Sequence, residues 1–117
     1  MREKHNIVVY VAGPYSAGNM RGTVLNIRKA ELVSEELWKQ GYTVFCPHMN
    51  SRLLDGIIPH DEWYKRDLVI LKRCDVVVLL PGWQFSKGTR IEKEFAEKHN
   101  IPVVEWNEWG KYKLENL

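Results

Sequence analysis

Two apolar runs decide the fold of this chain: residues 7–12 (IVVYVA) and residues 75–80 (DVVVLL). Each is a nearly continuous stretch of β-branched and other apolar side chains with no polar alternation. This pattern is typical of strands that are buried on both faces in the middle of a parallel sheet. Two further apolar segments, 42–46 (YTVFC) and 101–106, are predicted as additional strands.

Helical patterns separate these strands. The first predicted helix has apolar residues spaced by three and four and ends at Gly41. A second is expected over 61–73 with Asp61 as its cap, and a third over 88–99 with Ile91 and Phe95 inward. The order β-α-β-α-β-α-β predicts an α/β fold: an open, mostly parallel, doubly wound sheet of Rossmann or flavodoxin type. We expect four or five strands with helices on both faces. In the first helix, the apolar residues that are expected to face inward are Val24, Ile27, Ala30, Val33 and Leu37.

Length and composition bound the class of protein. The chain has 117 residues, which fits a single domain over 1–117 with residues 106–117 as a tail. Its formal net charge of +2 argues against binding to a nucleic acid polymer, which requires concentrated basic residues. No run approaches the roughly 18 apolar residues of a membrane span, and the first residues do not resemble a signal peptide. We therefore expect a cytoplasmic protein that does not bind membranes, with Cys46 and Cys74 as reduced thiols.

The sheet type predicts where a ligand binds. In open parallel sheets, ligands bind beyond the carboxyl ends of the strands. The segments 13–22, 47–60 and 81–88 follow predicted strands, so chemistry is expected there. Residues 48–60 are predicted to form a loop. Gly13 and Gly18 have the spacing of P-loop glycines, but the lysine and hydroxyl residue of that motif are missing.

No metal site is expected from the sequence. The four candidate ligands have spacings that match no zinc pattern, and we interpret them as buried thiols and loop histidines. These residues are Cys46, His48, His60 and Cys74.

Two carboxylates lack the partners that helix glutamates and aspartates usually have. The residues four away from Glu92 are Gly88 and Ala96, whereas other charged residues of that helix have opposite charges at this spacing. Asp67 lies on a face whose neighbours four residues away are apolar. A solvated surface glutamate is the alternative interpretation of Glu92, and Asp75 is expected to hold backbone amides. Two carboxylates that share a cleft are the minimal equipment for cleaving a glycosidic bond.

Five motifs together resemble the nucleoside 2-deoxyribosyltransferase family, and most closely its small branch of phage and bacterial proteins. They occur in order along the chain and extend to about residue 105. No single motif is decisive, but the combination is fairly specific. The motifs are VYVAGPYS (9–16), RDL (66–68), CDVVVLLPGW (74–83), SKGTRIEKEFA (86–96) and IPVV (101–104).

The resemblance implies a role for each matching residue. Glu92 matches the nucleophilic glutamate of the family, and Asp67 matches the aspartate that assists departure of the base. Ser86 matches a residue that contacts the sugar or its phosphate, and Gly88 a glycine that lets the backbone approach the ligand. Three residues match the loop that lines the sugar pocket: Gly13, Tyr15 and Ser16.

The chain also departs from the family pattern. Arg90 stands where well-studied members have glycine, although the small branch often has arginine there. Ser16 stands where mammalian-type deoxynucleotide hydrolases have arginine, which weakens the expectation of phosphate binding. The long C-terminal region that completes a neighbour's site in bacterial transferases has no counterpart here, and only residues 106–112 could substitute for it.

The resemblance implies an enzyme that cleaves the N-glycosidic bond of a (deoxy)ribonucleoside or its 5′-monophosphate. The implied mechanism uses a covalent glycosyl-enzyme, with water or another base as acceptor, and needs neither a metal nor an organic cofactor. One alternative is a catalytically silent nucleotide-binding or sensing module on the same fold. Another is an interaction domain with a tryptophan-rich interface.

Several aromatic and basic residues have two interpretations each. Trp83, Phe85 and Trp63 could stack on the base or simply pack in a core or interface. Arg21 could meet a 5′-phosphate or be a solvated loop residue. The five tryptophans and five tyrosines predict a homodimer or a larger homo-oligomer, because some of them are expected to form a partner surface.

Overall fold

The structure is a computed structural model and describes residues 2–113 and residue 117. Within that part of the chain, four strands form one sheet in which every neighbouring pair is parallel, in the order β2-β1-β3-β4. The strands are β1 (Val8–Ala12), β2 (Thr43–Phe45), β3 (Val76–Leu79) and β4 (Val103–Glu105). The helices are α1 (Met20–Lys39), α2 (Pro47–Ser51), α3 (His60–Leu71) and α4 (Lys87–Lys98).

The two apolar runs form the centre of the sheet. In the pairing of β1 with β3, Val9 lies opposite Val76 and Tyr10 opposite Val77. All four residues of β3 are buried because helices cover both faces. The predicted α/β fold with an open, doubly wound parallel sheet is therefore confirmed.

The core consists of two clusters on opposite faces of the sheet. On one face, α1 packs through Ala30, Val33 and Leu37, together with Trp109 from a 3-10 helix at Trp106–Lys111. On the other face, α3 and α4 pack against the alternate side chains of β1 and β3. That second cluster contains Tyr10, Ala12, Leu71, Cys74, Val77, Leu79 and Ala96.

Helix α1 begins earlier than the sequence pattern indicates. The side chain of Asn19 caps it by accepting a hydrogen bond from the Gly22 amide at 2.8 Å, so Gly22 lies in the first turn. Val24 was predicted to face inward, but it is 57% exposed. A step of three residues falls short of one full helical turn. Two such steps, from Ala30 to Ile27 and from Ile27 to Val24, therefore rotate Val24 out of the buried face.

The segment after β2 contains more helix than expected. Residues 48–60 were predicted as a loop, but α2 begins at Pro47, whose ring suits the first turn of a helix, and a 3-10 turn follows at Arg52–Leu54. Helix α3 then begins at His60 after Pro59. Asp61 lies inside its first turn and is not the cap.

Asp75 has the structural role expected of it. Its Oδ2 accepts a hydrogen bond from the Val8 amide at 2.8 Å, and its Oδ1 pairs with Arg2 at 3.0 Å. The carboxylate therefore ties the start of β1 to the start of β3. Among the described residues, no helix is both long enough and apolar enough to cross a membrane. Of the predicted tail, residues 114–116 lie outside the described residues.

Candidate active site

A cleft of about 400 Å³ opens at the carboxyl ends of β1 and β3. The chain runs from β1 outward to β2 on one side and continues with β3 and β4 on the other, so the cleft lies at the switch point of the sheet. It is bordered by the loops after β1 and β3, by α2 and by the facing sides of α3 and α4. Its polar lining residues are Tyr15, Ser16, His48, Ser51, Asp55, His60, Tyr64, Asp67, Ser86, Lys87, Thr89 and Glu92.

Glu92 lies at the bottom of this cleft. It is 8% exposed, although its position in the helix sequence would also suit a solvated residue. The hydroxyl of Tyr10, on the central strand β1, donates a hydrogen bond to its Oε2. This contact fixes the carboxyl group against the sheet.

Burial makes the carboxyl groups of Glu92 and Asp67 weaker acids. The pKa of Glu92 is raised to about 8: burial is the largest cause and the charge of Asp67 adds to it, whereas the Tyr10 hydrogen bond lowers the pKa. Burial also raises the pKa of Asp67 to about 6. Since one pKa lies below pH 7 and the other above it, Glu92 and Asp67 together hold one proton near pH 7.

Sequence reasoning missed Tyr10. It stands inside the apolar run 7–12 and was interpreted only as part of a buried strand. The usable signal was its hydroxyl, because a tyrosine buried in a sheet usually finds a hydrogen-bond partner. In the structure that partner is Glu92, and the same burial and negative charge raise the pKa of the phenol well above its usual value.

Gly88 lines the cleft and makes room for a neighbouring ring. A Cβ atom at Gly88 would lie 2.5 Å from Cε1 of Tyr64. The missing side chain therefore allows the Tyr64 ring of α3 to lie directly against α4. The sequence resemblance implied room for a ligand at this position, and the structure shows that Tyr64 occupies part of that room.

Ser86 caps α4 at the mouth of the cleft. Its Oγ accepts hydrogen bonds from the Thr89 amide at 3.2 Å and from the Thr89 hydroxyl at 2.8 Å. A hydroxyl oxygen has two accepting positions and one proton. With both accepting positions occupied, Ser86 can offer its proton to a group in the cleft.

The loop after β1 forms the opposite wall. Gly13, Tyr15 and Ser16 all line the cleft, as the sequence placed them. A Cβ atom at Gly13 would lie 2.6 Å from the Leu80 side chain, so only glycine permits this close packing of the loop on β3.

Two residues proposed from the sequence lie elsewhere. Trp83 does not line the cleft; its Nε1 donates to Glu105 at 3.1 Å, and Lys93 lies 5.4 Å from its ring centroid. Arg21 is exposed on the first turn of α1 and does not line the cleft either. Of the other aromatic candidates, Trp63 and Phe85 both line it, and Phe85 is 92% exposed at its rim.

The four residues considered as metal ligands do not gather in one place. Cys46 belongs to the core cluster on the α1 face, and Cys74 belongs to the cluster on the α3 and α4 face. Over residues 2–113 and 117, no group of three or more histidine, cysteine, aspartate or glutamate side chains is arranged to hold a metal ion.

This architecture defines an α/β protein with Glu92 and Asp67 in one cleft at the switch point of its sheet. The chain belongs to the family described as a domain of unknown function, DUF4406, whose model matches residues 7–105. No curated protein matches the chain.

A solved structure shares the fold. It is the 2-deoxyribosyltransferase from the psychrotolerant bacterium Bacillus psychrosaccharolyticus, with a TM-score of 0.63 and 22% sequence identity. The match covers 93% of this chain and 94% of that chain. The resemblance to the nucleoside 2-deoxyribosyltransferase family is therefore confirmed at the level of the fold.

Proposed function

We propose that this protein cleaves the N-glycosidic bond of a nucleoside or a nucleoside 5′-monophosphate, with Glu92 as the nucleophile. The observation that carries the proposal is the placement of Glu92 and Asp67 in one cleft, with the Tyr10 hydroxyl bonded to Glu92. The shared fold with a 2-deoxyribosyltransferase supports the same chemistry.

The first step forms a covalent glycosyl-enzyme. A carboxylate oxygen of ionised Glu92 attacks C1′, and the bond between C1′ and the base nitrogen breaks with its electron pair on the base. Asp67 donates its proton to the departing base. The Tyr10 hydroxyl stays on Oε2 and orients the carboxylate. The products of this step are the free base and a glycosyl ester of Glu92.

The second step releases the sugar. Asp67, now ionised, takes a proton from water while the water oxygen attacks C1′ and the ester bond breaks, which restores the Glu92 carboxylate. A nitrogen of a second base in place of water gives transfer. Two displacements at C1′ give overall retention of configuration.

The cleft also suggests an orientation for the substrate. The sugar lies near Glu92, with its 5′ end toward Ser86, whose hydroxyl proton can be donated at the start of α4. The base then lies along α3, where Trp63 can stack on it and Asp67 can reach its edge. Lys87, which directly follows Ser86, also lines the cleft, and its positive charge suits a 5′-phosphate.

Chromatography of released base tests the proposal. The probes are the four common 2′-deoxynucleosides, the four ribonucleosides and their 5′-monophosphates, each with and without added adenine as acceptor. We expect base release by the wild type, its loss in Glu92→Gln and its retention in Glu94→Gln, which changes an exposed glutamate of the same helix. Release by Glu92→Gln at the wild-type rate would contradict the assignment of the nucleophile.

Intact-protein mass spectrometry tests the covalent step separately. A 2′-deoxy-2′-fluoro nucleoside slows both displacements, so a glycosyl-enzyme is expected to accumulate on the wild type. Glu92→Gln, which lacks the nucleophilic oxygen anion, is expected to gain no mass. An adduct on a different residue would contradict the mechanism while leaving base release in place.

The raised pKa of Glu92 favours one alternative, a binding module without turnover. A group with a pKa of about 8 is mostly protonated at neutral pH, and a protonated carboxyl binds a sugar hydroxyl without attacking C1′. Such a module would bind a member of the probe panel in calorimetry and release no base at any pH.

A further inference from the structure

Two successive carbonyl groups of the loop after β1 are held by side chains from other elements. The Pro14 carbonyl lies 2.8 Å from Nε2 of His48 in α2, and the Tyr15 carbonyl accepts from Nδ2 of Asn26 in α1 at 3.0 Å. Side chains of α1 and α2 therefore hold the backbone of the loop that forms one wall of the cleft.

The contact with Pro14 fixes the tautomer of His48. A carbonyl oxygen only accepts hydrogen bonds, so Nε2 carries the proton and donates it. Nδ1 is then an acceptor, and the Cys46 Sγ lies 3.7 Å from it. His48 is 4% exposed, and this burial lowers its pKa, which keeps the ring neutral.

His48 also supports the side chain that follows Pro14. The Tyr15 ring packs edge-on against the imidazole, with 5.3 Å between the ring centroids. Both residues line the cleft, and His48 is almost wholly buried in its wall. One imidazole thus sets both the direction of the Pro14 carbonyl and the position of the Tyr15 ring.

We propose that His48 is a positioning residue for substrate binding: its Nε2–H and its ring hold the loop 13–16 in the conformation that receives the sugar. This rests on the proposed function of the cleft. His48 acts through Pro14 and Tyr15 and takes no part in proton transfer. Because the loop meets the substrate equally before and during the reaction, losing this support raises KM and leaves kcat nearly unchanged.

Two substitutions distinguish the effect of losing the hydrogen-bond donor from the effect of losing the ring. His48→Leu keeps an apolar side chain but loses the donor, whereas the side-chain amide of His48→Gln can place a donor near the position of Nε2. We expect KM for the fastest substrate of the probe panel to rise about five- to tenfold in His48→Leu, the effect of one lost hydrogen bond. His48→Gln is expected to recover most of that loss, and the exposed His5→Leu serves as the control.

A purely structural role predicts a different result. It would lower the amount of active enzyme, so that kcat falls, KM stays constant and His48→Gln brings no recovery. That pattern, or an unchanged KM in a folded His48→Leu, would overturn the proposal while the proposed function stands. A wild type that releases no base would instead overturn the proposed function, and with it the role of His48.

Nuclear magnetic resonance gives a test that does not depend on activity or on folding of a variant. A long-range proton–nitrogen spectrum of wild-type imidazole groups distinguishes the two neutral tautomers and the imidazolium. We expect the signals of one histidine to show the neutral Nε2–H form at neutral pH. A His48 with its proton on Nδ1 would overturn the proposal.

Discussion

The hydroxyl of Tyr10 and Oε2 of Glu92 share a hydrogen bond that joins the central strand β1 to helix α4 at the bottom of the cleft. The tyrosine belongs to the run that forms the core of the sheet, and the glutamate belongs to the helix that packs over it. Burial makes Glu92 difficult to ionise, and this contact partly offsets that effect by lowering the pKa of the carboxyl group. The contact therefore links the fold directly to the proposed chemistry.

Tyr10→Phe removes the donor and leaves the ring in place. The hydrogen bond lowers the pKa of Glu92, so its removal is expected to raise that pKa above its present value of about 8. At neutral pH we expect base release to fall about tenfold or more, with the loss partly recovered at higher pH. The measurement is the pH dependence of kcat/KM, with Tyr42→Phe, on the other face of the sheet, as the control. A profile superimposable on that of wild type would contradict a role for the contact.

Glu92→Gln is expected to make the protein more stable at alkaline pH. The pKa of Glu92 is raised from 4.5 to about 8 in the folded protein, so the folded state holds a proton that the unfolded state has lost in this pH range. The free energy of unfolding of wild type therefore falls as pH rises from about 4.5 to about 8. Glutamine does not ionise and avoids this loss.

Thermal unfolding across pH measures that difference. Wild type and Glu92→Gln are expected to unfold alike near pH 4.5, with the variant more stable by a few kcal/mol above pH 8, at about 1.4 kcal/mol per pK unit. Glu94→Gln controls for the loss of one charge from α4. A gap between wild type and Glu92→Gln that stays constant with pH would show that burial does not suppress ionisation of Glu92.

Gly88→Ala tests the packing of α3 on α4. Its Cβ would lie 2.5 Å from the Tyr64 ring, so the ring must move and the contact between the two helices must open. We expect a loss of about 1–3 kcal/mol in stability, the usual cost of overpacking, together with weaker base release because Tyr64 lines the cleft. Gly110→Ala is the matched control, since nothing lies within 4 Å of its added carbon. Equal unfolding free energies for the two variants would contradict this account of Gly88.

The sequence predicts the sheet because its two central strands, β1 and β3, are continuous apolar runs that a doubly covered parallel sheet can bury. The sequence also indicates Glu92. This glutamate has no charged neighbour four residues away because it lies on the buried face of α4, whereas the paired charges lie on the solvated face. The burial of Glu92 was not predictable from the sequence, because a helix pattern does not show which of its small residues face a cleft. Tyr10 was missed because its ring suits the core and only its hydroxyl serves the site.

The segment after β2 was the least predictable part of the site. Pro47, Gly56 and Pro59 break up its pattern, so α2 was not expected and His48 was considered only as a metal ligand or a loop residue. Its role depends on a carbonyl group 34 positions away in the chain, and pairings of that kind leave no periodic trace. Trp83 and Arg21 show the reverse error, since adjacency to a site loop in sequence did not bring their side chains into the cleft.

The expected homo-oligomer remains a prediction that sedimentation velocity can test. Helix α1 exposes several apolar side chains, among them Met20, Leu25 and Trp38, and such side chains favour a partner surface. We expect a species larger than 13.8 kDa at micromolar concentration. Leu25→Glu is expected to shift the distribution toward monomer, with Leu53→Glu, an exposed leucine far from α1 in sequence, as the control. A wild-type monomer would contradict the prediction.

Asp67→Asn is expected to change the shape of the pH profile as well as the rate. The proposed first step needs Glu92 ionised and Asp67 protonated, so the productive form carries one proton on the pair. With pKa values of about 6 for Asp67 and about 8 for Glu92, the singly protonated pair is the main form between these two values, mostly with its proton on Glu92. The productive arrangement, with the proton on Asp67, is the minor tautomer of the same form, so kcat/KM is still expected to follow a bell. Below this range both groups are protonated and Glu92 does not attack; above it both are ionised and the base leaves without a proton.

Asparagine removes the acid and one negative charge together. The alkaline limb is therefore expected to disappear. The remaining limb reports the ionisation of Glu92 alone, with a midpoint below about 8, because burial still raises the pKa of Glu92 whereas the charge of Asp67 no longer does. The plateau is expected to lie about 100-fold or more below wild type for bases that need protonation. The loss should be smaller for a substrate with a good leaving group, such as a 4-nitrophenyl glycoside. An Asp67→Asn profile that keeps its alkaline limb would assign the proton donor to another group, and Tyr64, also in the cleft, would be the next residue to test.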